Sequence, residues 1–213
     1  MATSDVYIRL DPKQEKKLKA KLGSMRSKMP LMIARAANES IPTAKRTIAK
    51  SVQNIYILRQ KDVNETLNPP GGIKATRARP TARLVYKSSH QNLAKWMSHG
   101  RSVISPAREV KSVWTQRPPD PKRGYKAHVM RGHPWTPLSG DPKPFLRTAG
   151  GGLGFYVRTS NSPDASLRGV AAPDITQLIS NPKVVSEMME KTGSRFSKRL
   201  EHHIGQTMKG NDY

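Results

Sequence analysis

Residues of the types that carry catalysis are thinly spread in this chain of 213 residues. The glycine-rich stretch 150–154 resembles a phosphate-binding loop in its glycine content. It lacks the Gly-Lys-Ser/Thr ending of a P-loop and no helical pattern follows it, so a flexible hairpin is the better interpretation. The six histidines are scattered, and adjacent His202 and His203 lie on different sides of a predicted helix. The chain has no cysteine, which excludes a disulfide framework, a thiol nucleophile and a Cys-ligated metal site.

Acidic residues are too sparse in the middle of the chain for paired-carboxylate chemistry. Residues 74–147 contain only Glu109, Asp120 and Asp141 as acids, which disfavours a two-carboxylate or a two-metal site there. No Gly-x-Ser-x-Gly elbow is present. We therefore expect no catalytic, cofactor-binding or metal-binding residue and no enzymatic activity.

The composition favours contact with anions instead. Lys and Arg number 38 against 15 Asp and Glu, a net charge of +23. Residues 74–147 carry 16 of these basic residues, whereas residues 148–213 are nearly balanced, with eight basic and six acidic residues. Neutralising phosphates requires Lys and Arg on one face of a protein. The candidates for contact with DNA or with a partner are Lys74, Arg77, Arg79, Arg83, Arg117, Lys122 and Arg123. The alternative is that they are solubilising loop charges.

Helical patterns dominate the first third of the chain. Asp11 predicts a helix cap, with Pro12 in the first turn, and a stripe follows at Leu18, Leu22, Met25 and Met29. After a break or new first turn at Pro30, a second amphipathic helix with a kink near Pro42 is predicted. Its stripe is Ile33, Ala37, Ile41, Ala44, Ile48 and Val52. A short helix over 60–67 completes this region.

Strand patterns follow, and helices return at the end. The predicted strands cover 82–86, 110–114, 125–130, 145–149 and 153–158, with a basic hairpin loop over 116–124. A short helix is expected over 174–178. The last helix is predicted to begin with Asn181 as cap and Pro182 in its first turn and to end near Gly210. Its predicted buried stripe is Val185, Met189, Phe196, Leu200 and Ile204. The candidates for packing or subunit contact are Ile33, Ala37, Ile41, Val185, Met189, Phe196 and Leu200.

This order of elements predicts an α+β fold. We expect N-terminal helices over 1–68, a central antiparallel or mixed β-sheet with long basic loops over 69–170, and a long C-terminal amphipathic helix within 171–213. The three regions are expected to form one α+β domain. No apolar run approaches the length of a membrane span, and residues 1–10 lack the apolar core of a secretory signal. We therefore expect a cytosolic site of synthesis and no membrane partner.

Four stretches, taken in order, resemble the minor tail protein Z family of lambda-like tailed phages, which is related to tail-completion and neck proteins. They are the Ala-rich helix 32–52, the basic turn and short helix 57–63, the segment 74–84 that leads into a strand, and the apolar-Pro segment 171–175 with the helix beyond it. The resemblance covers about residues 30–209. A family strand of Gly-Ala-Phe type is matched only by 144–146, and the Pro-rich insert 116–144 is longer than in the family.

The resemblance implies a non-enzymatic structural protein of the virion. It implies a tail-completion subunit that forms a homo-oligomeric, six-fold ring at the head-proximal end of the tail and helps join tail to head. The implied neighbours are the tail terminator or tube, the head-completion proteins and the double-stranded DNA that passes nearby. Assembly in the bacterial host cytoplasm is implied as well. A different hypothesis is a free, sequence-nonspecific nucleic-acid-binding protein, associated with ribosomes or RNA. Few aromatic residues are available to stack on bases under that hypothesis.

Overall fold

The computed structural model confirms the predicted α+β class. It describes residues 2–13, 15–16, 27–88, 126–127, 129–134, 136–138, 141–142, 144–149, 152–160, 162 and 164–209. The helices are α1 (Met29–Ile55), α2 (Gln60–Glu65), α3 (Ile175–Ile179) and α4 (Pro182–Met208). The strands are β1 (Ala2–Ile8), β2 (Ala82–Ser88), β3 (Lys126–Ala127), β4 (Thr136–Pro137), β5 (Phe145–Ala149), β6 (Gly152–Arg158) and β7 (Leu167–Gly169).

The chain divides into two compact units. One comprises residues 1–51, 61–88 and 175–213, and the other comprises residues 52–60 and 89–174. Each unit therefore draws on more than one of the three regions expected from the sequence. The first unit carries the two-stranded sheet β1–β2 and most of both long helices.

The sheet of the first unit is built around β2. β1 pairs with β2 antiparallel, from Ala2 opposite Ser88 to Ile8 opposite Ala82. On its other side β2 forms isolated bridges, between Tyr86 and Leu67 and between Arg83 and Ile73. β2 is thus flanked on both sides, and its Leu84 and Tyr86 side chains are fully buried. The sequence patterns do not predict β1, because only Val6 and Ile8 alternate as apolar residues in it and its partner residues lie 74 to 86 positions away.

α1 presents a wide apolar face to the core. Met29 begins it and Pro30 occupies its first turn, where the missing N–H costs nothing. One helix continues through Pro42 to Ile55, and a kink at Pro42 stays a prediction. The predicted stripe is confirmed, since all six of its members are buried. Small residues widen it: Ala34, Ala36 and Ala49 are buried too. Ile48 alone, fully buried, contributes about 1.5–3 kcal/mol of transfer free energy.

The earlier helix start at Asp11 is also confirmed. The Lys13 amide donates to Asp11 Oδ1 at 2.7 Å, which is the predicted cap. Pro12 and Lys13 are helical. The stripe members Leu18, Leu22 and Met25 lie outside the described residues.

α4 runs antiparallel to α1. Residues of α1 with lower numbers contact residues of α4 with higher numbers. Ser51 donates to Glu187, Glu39 pairs with Arg199, and Thr207 donates to the Met32 sulfur at 3.4 Å. These side chains join the two helices along most of their length.

The start of α4 confirms the predicted cap, because Asn181 Oδ1 accepts from the Lys183 amide at 3.0 Å and Pro182 is the first helical residue.

The predicted buried stripe of α4 was partly wrong. Val184, Thr192, Phe196 and Leu200 are buried, whereas Met189 is 65% exposed and Val185 and Ile204 are half-buried. Leu200, Phe196 and Thr192 follow one another at intervals of four and Val184 lies eight residues before Thr192, so a polar residue occupies a core position that the predicted apolar stripe left out. α4 ends at Met208, two residues before the predicted end at Gly210.

Several short elements lie close to their predicted bounds. α2 covers 60–65 rather than 60–67, and α3 is shifted by one residue from 174–178. In the second unit, β5 matches its predicted bounds and β6 begins one residue early. β5, β6 and β7 form one antiparallel sheet around the fully buried Phe155. The predicted strand 110–114 and the basic hairpin loop 116–124 lie outside the described residues.

Candidate nucleic-acid interface

The basic loop, residues 74–81, lies against α1 in the first unit and is fixed by one asparagine. Asn38 Nδ2 donates to the Ala75 carbonyl at 3.0 Å, and the Ala75 amide donates to Asn38 Oδ1 at 2.7 Å. A single side chain thus satisfies both polar groups of a buried loop residue. These two bonds hold the loop backbone at the level of Asn38 on the helix.

Gly72 closes the base of the loop. Its amide donates to the Pro69 carbonyl at 2.9 Å, and Ile73 and Arg83 then exchange two backbone hydrogen bonds of 2.7 and 2.9 Å. Gly72 has a φ of 71°, and a Cβ there would lie 2.7 Å from Leu84 Cδ2 and 3.0 Å from the Arg83 carbonyl oxygen. Only glycine fits this turn without strain.

A tight turn forms the tip of the loop. The Thr76 amide donates to the Arg79 carbonyl at 2.9 Å, and the Arg79 amide donates to the Thr76 carbonyl and to Thr76 Oγ1, both at 3.1 Å. The turn exposes Arg77, whose guanidinium donates to the Ser27 carbonyl at 3.2 Å beside the start of α1. The tip is therefore ordered by its own backbone and tied to the helix end.

Lys45 extends the positive surface along α1. Its ammonium donates to the Pro70 carbonyl at 3.3 Å, so the chain from 70 to 77 runs beside α1 from the level of residue 45 back to residue 27. We call Lys45, Lys74, Arg77 and Arg79 the basic ridge. Residues 29–45 of a helix span about 24 Å, which sets the approximate length of the ridge.

Negative charge is absent from the sequence around the loop. Residues 66–83 contain no acid, and Glu39 is the only acid in α1. Glu39 pairs with α4 instead: Arg199 Nε lies 2.9 Å from Oε2, and His203 Nε2 lies 3.0 Å from Oε1. Since consecutive helical residues point about 100° apart, Asn38 faces the loop while Glu39 faces α4. The Glu39 carboxylate therefore pairs with α4 on a different side of α1 from the basic ridge.

Arg83, unlike the basic candidates of the loop, lies on strand β2. It lies opposite Tyr7 in the β1–β2 ladder, with its guanidinium 5.3 Å from the centre of the Tyr7 ring, and it forms an ion pair with Asp5. The hydrogen bond with Asp5 raises the pKa of Arg83. The fold therefore uses Arg83 to join two strands. Arg117, Lys122 and Arg123 lie outside the described residues.

Two further titratable groups respond to the packing of the first unit. Burial raises the pKa of the Tyr86 hydroxyl, which has no hydrogen-bond partner among the described residues. Hydrogen bonds from Lys191 and then from Ser51 lower the pKa of Glu187. Both effects belong to the core and to the α1–α4 contact rather than to the ridge.

The sequence patterns missed Asn38 and Lys45. Both residues lie within α1, whose apolar spacing predicts only its buried face. Asn38 adjoins that stripe between Ala37 and Ile41, and a polar side chain at such a position is a signal for a specific tertiary partner.

A cleft of about 300 Å³ adjoins the carboxyl end of the basic loop. Pro80 and Thr81 line it together with Arg9, Glu15 and apolar residues of α1. Among the described residues no group of three His, Asp or Glu side chains could hold a metal ion. Neither of the 27-residue helices, nor any shorter one in the described ranges, combines the length and hydropathy that crossing a bilayer demands.

Comparison of the chain with protein-family models, with curated proteins and with solved structures finds no match.

Proposed function

We propose that the chain is a non-enzymatic structural protein of a tailed-phage virion. In this proposal it is a tail-completion or neck subunit that forms a homo-oligomeric ring at the head-proximal end of the tail and helps join tail to head around the DNA. The observation that carries the proposal is the basic ridge: a positive surface held by Asn38, whose loop segment 66–83 contains no acid, on a chain with a net charge of +23. The resemblance of four segments, taken in order, to the minor tail protein Z family is the basis for proposing a tailed-phage virion as the particle.

The physical logic of a ring supports this assignment. A subunit beside a DNA channel needs positive or neutral surface without base-reading side chains, and the charges of several copies add together. Met189, exposed on α4, and Tyr7, exposed on β1, border one shallow cavity of about 180 Å³. Exposed apolar side chains of this kind suit contact between subunits.

Purified virions provide the test. Mass spectrometry of particles from the phage that carries the gene should detect the chain, and deletion of the gene should leave heads and tails that do not yield infectious particles. Absence of the chain from particles that remain infectious would overturn the proposal.

The alternative, a free nucleic-acid-binding protein, makes a different prediction. It requires tight binding by the isolated monomer to naked DNA or RNA, with a steep dependence on salt. A ring subunit should bind weakly as a monomer and gain affinity on assembly, since linked sites act together. Measuring affinity against oligomeric state separates the two functions.

A further inference from the structure

We infer that the basic ridge is a sequence-independent contact surface for the phosphate backbone of duplex DNA. The inference rests on the proposed function, which brings a duplex close to the protein, and it assigns that duplex to Lys45, Lys74, Arg77 and Arg79.

The backbone of the ridge is held by hydrogen bonds within the chain. Asn38 holds Ala75 by two hydrogen bonds, the 76–79 turn closes on itself, and the Ile73–Arg83 bridge fixes the loop base. A surface that is ordered in advance loses less conformational freedom on binding than a flexible arm does. The loop backbone therefore loses little conformational entropy when the ridge contacts a stiff duplex.

The charges are accessible. Lys74, Arg77 and Arg79 are exposed, and Lys45 is half-buried with its ammonium at the surface of the loop. Glu39, the one acid of α1, is paired with α4, so it does not neutralise them. Guanidinium groups also bind phosphate in a bidentate manner, which gives the arginines directional contacts.

The length of the ridge fits a duplex. One turn of B-DNA is about 34 Å long, so a ridge of about 24 Å lies alongside a length of duplex that is somewhat shorter than one turn. Phosphates recur along that distance, and four basic side chains can each meet one.

The composition of the loop disfavours other partners. Residues 74–81 contain no aromatic or large aliphatic residue. Protein interfaces are enriched in large aromatic side chains packed in pockets, and single strands are bound by stacking bases on aromatic rings. A duplex backbone needs only positive charge in the right place.

The test compares two variants of the full chain that lose the same charge. The ridge variant carries Lys74→Gln, Arg77→Gln and Arg79→Gln. The control carries Lys183→Gln and Lys198→Gln on α4 and Lys209→Gln directly after it, and all three lysines are exposed. Fluorescence anisotropy with a mixed-sequence duplex of about 30 base pairs, from about 50 to 300 mM salt, gives the slope of log K against log salt. Circular dichroism verifies that both variants fold.

Each phosphate contact contributes about 0.9 to the salt slope, so the ridge variant should lose about 2–3 while the control stays within about 0.5 of the wild type. A wild-type slope near zero, or an equal loss in both variants, would overturn the inference. So would a ridge variant that keeps duplex binding but loses binding to polyglutamate, because the ridge would then face an acidic protein.

The two proposals fail separately. An unchanged slope with the chain present in virions overturns the DNA contact and leaves the structural function standing. A reduced slope with the chain absent from infectious virions supports the DNA contact and overturns the structural function.

Discussion

Replacing Gly72 with alanine should destabilise the first unit, while the same change at neighbouring Gly71 should not. Gly72 has a φ of 71°, in the left-handed region that costs a non-glycine residue roughly 1–2 kcal/mol. The new Cβ would also approach Leu84 Cδ2 to 2.7 Å and the Arg83 carbonyl oxygen to 3.0 Å. Leu84 is fully buried, so it can move only by disturbing the core.

The magnitude follows from these two terms. Forcing an extra methyl group into a packed core costs typically about 1–3 kcal/mol, which together with the backbone term gives a central value of about 3 kcal/mol. The Arg83 carbonyl cannot simply retreat, since it accepts the Ile73 amide at 2.7 Å. For a chain of this size, about 3 kcal/mol corresponds to a fall in Tm of about 6–12 °C.

Gly71 is the matched control, because a Cβ there meets nothing within 4 Å and its φ lies outside the left-handed region. Gly71→Ala should leave Tm unchanged or raise it slightly through a less flexible unfolded chain. Thermal melts followed by circular dichroism measure both variants. Equal Tm changes for Gly71→Ala and Gly72→Ala, or a Gly72→Ala protein that melts like the wild type, would show that the turn at residue 72 does not require glycine.

Three further predictions concern single side chains of the first unit. Asn38→Ala removes two hydrogen bonds to the basic loop and should cost about 1–3 kcal/mol in chemical denaturation, whereas Asn54→Ala, at an exposed site, should cost less than about 0.5 kcal/mol. Equal costs would mean that Asn38 does not anchor the loop. Tyr86→Phe removes a buried hydroxyl without a described partner and should leave stability unchanged or raise it by up to about 1 kcal/mol; a loss above about 1 kcal/mol would reveal a partner. The pKa of Glu187 is lowered by its bond from Lys191, so its stabilisation is present above the ordinary value of 4.5 and is lost as pH falls through the lower folded pKa. Glu187→Gln should therefore lower Tm by about 1–3 °C at neutral pH, as expected of an exposed ion pair, and the difference should vanish in acid; a difference that persists at low pH would contradict this.

Local signals in the sequence were sufficient for the two long helices and for the capped helix starts. The apolar spacing of α1, the caps at Asp11 and Asn181 and the strand before the glycine run are all present in the structure. Each depends on residues within one or two turns of each other, which is why a single sequence reveals them. The misplaced half of the α4 stripe shows the limit, because Thr192 is buried by its position on the helix rather than by its hydrophobicity.

Long-range pairing produced what the sequence did not predict. β1 pairs with β2 along its whole length, although only Val6 and Ile8 alternate as apolar residues in it, which is too short a pattern to predict a strand. The same holds for the site: the basic loop was visible as a charged segment, but its attachment to α1 through Asn38 was not. Arg83 lies in the same basic stretch of sequence as the loop. The register between β1 and β2 places it opposite Tyr7, where it forms an ion pair with Asp5.

The α+β class, the two long amphipathic helices and the excess of positive charge follow from the amino-acid sequence alone, because composition and periodicity are local properties of the chain. Which of those charges share one surface depends on the tertiary fold. Asn38, Gly72 and the bridge to β2 fold the basic loop back onto α1, so Lys74, Arg77 and Arg79 come beside Lys45 while Arg83 joins two strands. That division depends on contacts between residues 10 to 78 positions apart, and no periodicity along the chain encodes them.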